Sequence, residues 1–142
     1  MGELIGTATP EKNGLKPKYE VSVMNVDIAT FDSGRYTKIS VLDADSTLIW
    51  KHTQYNASPE IIFITRGNKN GNPSNNGFAT RFNKSTTAPK IYVDTQGALY
   101  LQVEFSSYPK NCISNLLGTY VLRNEGDVEL PSDAVEIVVR DL

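Results

Sequence analysis

Leu48, Trp50 and His52 occupy alternate positions in LIWKHTQYN, residues 48 to 56. On an extended strand they share one face, with Tyr55 at the strand's end or in the following turn. Trp50 is the chain's only tryptophan and His52 its only histidine. An indole beside an imidazole and a nearby phenol makes a platform for the apolar face of a sugar ring, and Gln54 and Asn56 offer amide donors and acceptors to its hydroxyls. Two other readings compete with this platform. A lone tryptophan in a β-protein more commonly fills the core between sheets, and it can also serve a contact between copies of the chain. A second candidate is GNKNGNPSNNG, residues 67 to 77, with five asparagines and three glycines. There Arg66, Asn68, Asn70, Asn72, Asn75 and Asn76 would form a polar recognition loop; the alternative is a plain surface connection built on Asn-Gly turns.

Catalytic arrangements find little support. A Ser-His-Asp triad has only His52 to draw on, and no GxSxG elbow is present. Zinc would need His52 joined by carboxylates or by Cys112, without a ligand pair at helical or knuckle spacing. Asp43 with Asp45, or Asp94 with Glu104, are nominal carboxylate pairs for glycoside hydrolysis, which requires a separation of roughly 5–10 Å. Asp43 and Asp45 also match the start of a calcium loop, but the glycine and glutamate that complete one are missing. No Gly-rich phosphate cradle occurs. The reading is therefore a non-enzymatic protein with no cofactor and no metal.

Fourteen basic and sixteen acidic residues leave a net charge of -2, which implies no electrostatic partnership with nucleic acid or an anionic membrane. Cys112 is the single cysteine, so an intrachain disulfide framework is excluded. With 142 residues the chain makes one domain, or one domain with a short appendage.

From Glu20 onward, β-branched and aromatic runs alternate with Gly, Pro, Asn, Asp and Ser. The runs span residues 20–28, 35–43, 47–53, 60–66, 77–83, 90–95, 98–105, 118–124 and 134–141. They predict an antiparallel β-sandwich or jelly-roll-like domain. In RYTKISVL, Thr37, Ile39 and Val41 face the core. In ALYLQVEF, Leu99, Leu101, Val103 and Phe105 make the apolar face, leaving Tyr100, Gln102 and Glu104 in water. Tyr36, Tyr92 and Tyr108 join Tyr100 as aromatics expected at solvent positions, where contact between subunits is the preferred reading. The one helical hint is a turn near residues 111–117.

Residues 1–18 are polar, carry Gly6, Pro10, Gly14 and Pro17, and lack a sustained period. They read as an extended arm or shaft-to-head linker, with the head domain spanning 19–142. Within the arm, Ala8, Thr9, Lys12, Asn13, Gly14 and Leu15 of IGTATPEKNGLKPK resemble the ATxxxxGLM-type segments of bacteriophage tail fibres and tail-associated receptor-binding proteins. Lys16 stands where those segments often have Met. The resemblance covers about a tenth of the chain. It implies the distal end of a tail fibre or related appendage: a homotrimeric, β-rich head that attaches a virion, or a phage-derived particle encoded in a bacterial genome, to a bacterial surface glycan or protein. The alternatives are a structural fibre-tip, baseplate or decoration module, and a bacterial carbohydrate-binding or adhesin domain.

Overall fold

A computed structural model describes residues 23–41, 46–55, 57–66, 77–117 and 122–142. The arm of residues 1–18 lies outside the described residues. Eleven strands follow in chain order: β1 (Val23–Asn25), β2 (Tyr36–Val41), β3 (Thr47–Thr53), β4 (Glu60–Arg66), β5 (Gly77–Phe82), β6 (Lys90–Val93), β7 (Leu99–Gln102), β8 (Lys110–Leu117), β9 (Leu122–Val128), β10 (Val135–Ile137) and β11 (Val139–Asp141). They form a six-stranded sheet in the order β1-β8-β3-β4-β5-β11 and a five-stranded sheet in the order β10-β6-β7-β2-β9. The two sheets pack face to face as an all-β sandwich. Both inner faces enter one core: Leu48, Trp50, Ile62, Ile64 and Ile113 come from the larger sheet, and Ile39, Ile91, Leu99, Leu101 and Leu122 from the smaller. Among the described residues no helix is long and apolar enough to cross a membrane.

The alternation expected in β2 holds for Thr37 and Ile39, which are buried. On β7 the wet face does not exist. Tyr100 and Gln102 are 3% and 2% exposed, because β7 lies between β6 and β2 and the side chains of those neighbours close over it. Lys38 lies over the Tyr100 ring at 6.0 Å, the Tyr100 hydroxyl donates to Asp94, and Gln102 Nε2 donates to the Arg35 carbonyl. Burial, together with the hydrogen bond to Asp94, pushes the Tyr100 hydroxyl well above its ordinary titration range. Phe105, placed on the apolar face by its spacing, is exposed because β7 ends at Gln102. Residues 111–117, read as a helical turn, belong to β8, which pairs with both β1 and β3.

The expectation of purely antiparallel sheets has one exception in a strand pair. The run 134–141 divides at Val138: β10 completes the five-stranded sheet beside β6, and β11 joins the six-stranded sheet parallel to β5. One short segment therefore serves both sheets, as strands at sandwich corners do.

An ion pair with no water access fixes this corner. Arg81 on β5 and Glu60 on β4 are both 0% exposed, with Arg81 Nη1 at 3.3 Å from Glu60 Oε1. Glu60 also accepts from the Ser85 amide at 2.6 Å, the Thr86 amide at 2.9 Å and the Thr86 hydroxyl at 2.9 Å. The other side of the guanidinium reaches Asp141 Oδ1 at 2.8 Å, which ties down β11. Such a pair is tolerated in a core only when its remaining donors and acceptors are also satisfied. Glu60→Gln leaves Arg81 short of a compensating charge, and we expect a loss of about 3 kcal/mol or more in urea unfolding.

The Arg81 hydrogen bond outweighs a smaller burial effect and holds the Asp141 carboxyl below its ordinary value of 3.8. The folded state thus favours the charged form. Its stabilising contribution is present above pH 3.8 and is lost as pH falls through the lower folded value. Thermal melts between neutral pH and the acid limb should show a drop that is shallower in Asp141→Asn.

Candidate ligand-binding surface

Strand β3 delivers Trp50 and His52 to its inner face, where they are 0% and 2% exposed. The sugar-platform expectation for these two side chains is corrected here: neither has a face to offer a ligand. The spacing did place them together, as buried members of one network. Trp50 Nε1–H donates to Asn111 Oδ1 at 2.9 Å, and His52 Nδ1 lies 2.7 Å from the same oxygen. An indole N–H only donates, so the Asn111 atom it meets is the carbonyl oxygen, and His52 Nδ1 must carry a proton to share it. The second ring nitrogen, Nε2, has Gln54 Nε2 at 3.4 Å. Asn111 stands opposite His52 in the β3–β8 register, which is why a buried asparagine reaches both rings.

Tyr55 behaves differently. It is 66% exposed, just beyond the end of β3, and its ring makes an edge contact with Tyr108 at a centroid distance of 5.5 Å. Tyr108 is 76% exposed and sits at φ 56°, left-handed backbone that bulky side chains rarely adopt. The Tyr55 amide donates to the Ser107 carbonyl at 3.4 Å, joining the two loops. Next to Tyr108 in the chain, Pro109, Lys110 and Asn111 line an open groove of about 490 Å³ together with Asn25, Val26 and Asp27. That volume lies within the range of small-ligand sites. A smaller hollow of about 190 Å³ adjoins it, shared by Asn25, Lys51, Thr53 and Cys112. The Val26 amide donates to the Asn111 carbonyl at 3.0 Å, so the groove wall is pinned to the buried network.

Two exposed phenol rings thus meet next in the chain to a groove whose lining includes an amide, a carboxylate and an ammonium group, those of Asn25, Asp27 and Lys110. Phenol rings, an amide, a carboxylate and an ammonium group are the chemistry that can stack on and hydrogen-bond to a polyhydroxylated ligand. The nominal carboxylate pair does not converge. Asp94 accepts from the Gln96 and Ala98 amides in the β6–β7 turn, whereas Glu104 lies beyond the far end of β7 and accepts from Thr87. Along the strand that is about 20 Å, too far for paired carboxylate chemistry. Asp43 and Asp45 lie outside the described residues. Among the described residues no three of His, Cys, Asp and Glu form a group able to hold a metal.

Asn68, Asn70, Asn72, Asn75 and Asn76 fall outside the described residues. Their root is placed: Arg66 pairs with Gly77 at the end of the β4–β5 hairpin remote from His52 and Glu60. Seven-residue β4 separates the two, so the Arg66–Gly77 pair lies about 20 Å along the strand from the His52–Glu60 end that leads to Tyr55. Sequence reasoning named Tyr55 but did not join it to Tyr108, Asn25, Asp27 or Lys110. Recognising β8 as a strand would have brought Tyr108 and Lys110 alongside the end of β3.

No family model matches the chain, and no curated protein or solved structure matches it.

Replacing Asn111 by alanine leaves the Trp50 and His52 N–H groups without their acceptor inside the core. We expect about 2–5 kcal/mol of destabilisation by chemical denaturation, together with a shifted Trp50 fluorescence maximum.

Proposed function

We propose that the chain is a non-enzymatic attachment head that binds a bacterial surface glycan or protein, as the distal domain of a phage tail fibre or related appendage. The observation that carries this reading is the exposed Tyr55–Tyr108 pair beside the Asn25–Asp27–Lys110 groove. An aromatic at positive φ costs conformational energy, and such strain tends to persist where a side chain is held out for a purpose. The resemblance of the arm to tail-fibre segments supplies the setting. A shallow, hydroxyl-matching site binds weakly by itself, and linked copies, a homotrimer in this reading, raise the effective affinity by about 10² to 10⁴ without new contacts.

A structural role in assembly is the second reading, favoured by the apolar outer face of the six-stranded sheet. Attachment to whole bacterial cells separates the two. Tyr55→Ala with Tyr108→Gly, which puts a residue at ease with positive φ where the strained aromatic stood, should weaken attachment about tenfold per site without lowering the melting temperature. Alanine at Asn68, Asn70, Asn72, Asn75 and Asn76 should have little effect. The reverse pattern would move recognition to the asparagine segment, and no effect in either set would favour the assembly role.

A further inference from the structure

The outward faces of the two sheets differ in kind. On the five-stranded sheet, Lys38 pairs with Glu125 at 3.2 Å, Tyr36 packs edge-on against Tyr92, and Glu136 stands opposite Tyr92. That face is polar and balanced in charge. On the six-stranded sheet, Ile49, Ile61, Phe63, Phe78 and Phe82 fall in adjacent register on β3, β4 and β5, all on the side away from the core. Phe78 and Phe82 are 49% and 38% exposed, and Phe63 meets Phe82 edge-on at 5.4 Å. Between them stand uncharged hydroxyls, Thr47, Thr65 and Thr80. The cations lie toward the margins: Lys51 near one end of β3, Lys110 at the start of β8, and Arg140 on the edge strand β11.

An apolar, uncharged centre inside a charged margin is the anatomy of a protein–protein interface. Six strands about 4.8 Å apart and seven residues of about 3.3 Å each make a face of roughly 550 Å² before side-chain relief is counted. Specific interfaces remove about 600–1,000 Å² from each partner, so one further sheet face of the same size covers it. The matching surface available to every copy is the same face. Its hydroxyls pair with their equivalents as donor and acceptor, and its long lysines can turn outward to water.

We propose that copies of this chain associate in pairs through the outer face of the six-stranded sheet, packed sheet to sheet about a two-fold axis. The proposal rests on the avidity reading for its purpose: a face that meets its own copy joins two heads, so between trimers it links neighbouring assemblies and adds further Tyr55–Tyr108 surfaces to one particle. The surface itself is separate from that site.

Cys112 provides the probe. It lies on the same outward face, opposite Lys51 in the β3–β8 register, and is the only thiol in the chain. Light scattering on the purified chain should give a multiple of 15.7 kDa that falls on dilution, with alkylation of Cys112 by a maleimide accelerating over the same concentration range. Phe78→Lys with Phe82→Lys should raise the dissociation constant by about 30-fold, the effect of losing an interface hot spot, with circular dichroism unchanged. Lys38→Glu on the opposite sheet should leave association intact. If the double variant unfolds, Thr80→Asp, a smaller change at the centre of the same face, must disperse the oligomer. A monomer at all concentrations, or an oligomer indifferent to these face variants, would overturn the proposal. Neither outcome bears on the tyrosine site, whose cell-attachment test is scored on the Tyr55 and Tyr108 variants.

Discussion

A guanidinium with no access to water governs how the two sheets are joined. Stripping Arg81 and Glu60 of solvent is costly, so the fold must surround the pair with partners. Those partners come from four parts of the chain: β4, β5, the segment after β5, and the last strand. The Ser85 and Thr86 amides cannot turn toward Glu60 unless the chain bends sharply after Phe82, and Asn83 makes that bend at φ 61° with its side chain on the Pro59 carbonyl. Asp141 stands opposite Arg81 in the parallel β5–β11 register, so the contact between them helps hold the edge strand on the six-stranded sheet. That strand carries the C-terminal segment from one sheet to the other.

The same logic, in neutral form, operates near the candidate site. Trp50, His52 and Asn111 place three polar groups in the core and satisfy them with one another. This ties the end of β3 to the beginning of β8. The loops that leave those two strand ends carry Tyr55 and Tyr108, and the groove wall is attached to Asn111 by its backbone. A binding surface made of loops is useful only when its roots are rigid. Here a buried indole, imidazole and amide supply that rigidity, and the exposed phenols at the loop ends are the groups proposed to make contact.

Sequence patterns show clearly where alternation coincides with burial. In β2 and β3, Thr37, Ile39, Leu48 and Trp50 announce both the strand and its inner face. β8 was hidden for the opposite reason: two of the residues it directs inward, Asn111 and Asn115, are asparagines, which cancel the period-2 signal, and Leu116 and Leu117 put apolar groups outside. A register shift opposite Thr47 and Leu48, which leaves Leu116 unpaired, breaks the period further. The division of residues 134–141 between two sheets is invisible locally, because the strands they pair with, β6 and β5, lie far away in sequence. At the candidate site, Tyr55 was legible from its place after a strand. Its partner Tyr108 was not, since their contact exists only once β8 lies beside β3. Trp50 follows the core reading offered for a lone tryptophan, and the ligand platform proposed for it and His52 does not form, because their polar groups serve a buried hydrogen-bond network instead.

The central claim is that this sandwich binds its ligand at the tyrosine end. Backbone amide chemical-shift mapping tests it directly, with the isotope-labelled chain titrated with surface oligosaccharides released from bacterial cells. The account predicts saturable shifts concentrated on Gln54, Tyr55, Ser107, Tyr108 and Lys110, with β4 and β5 silent. Shifts confined to residues 66–77, or to the outer face of the six-stranded sheet, would contradict it.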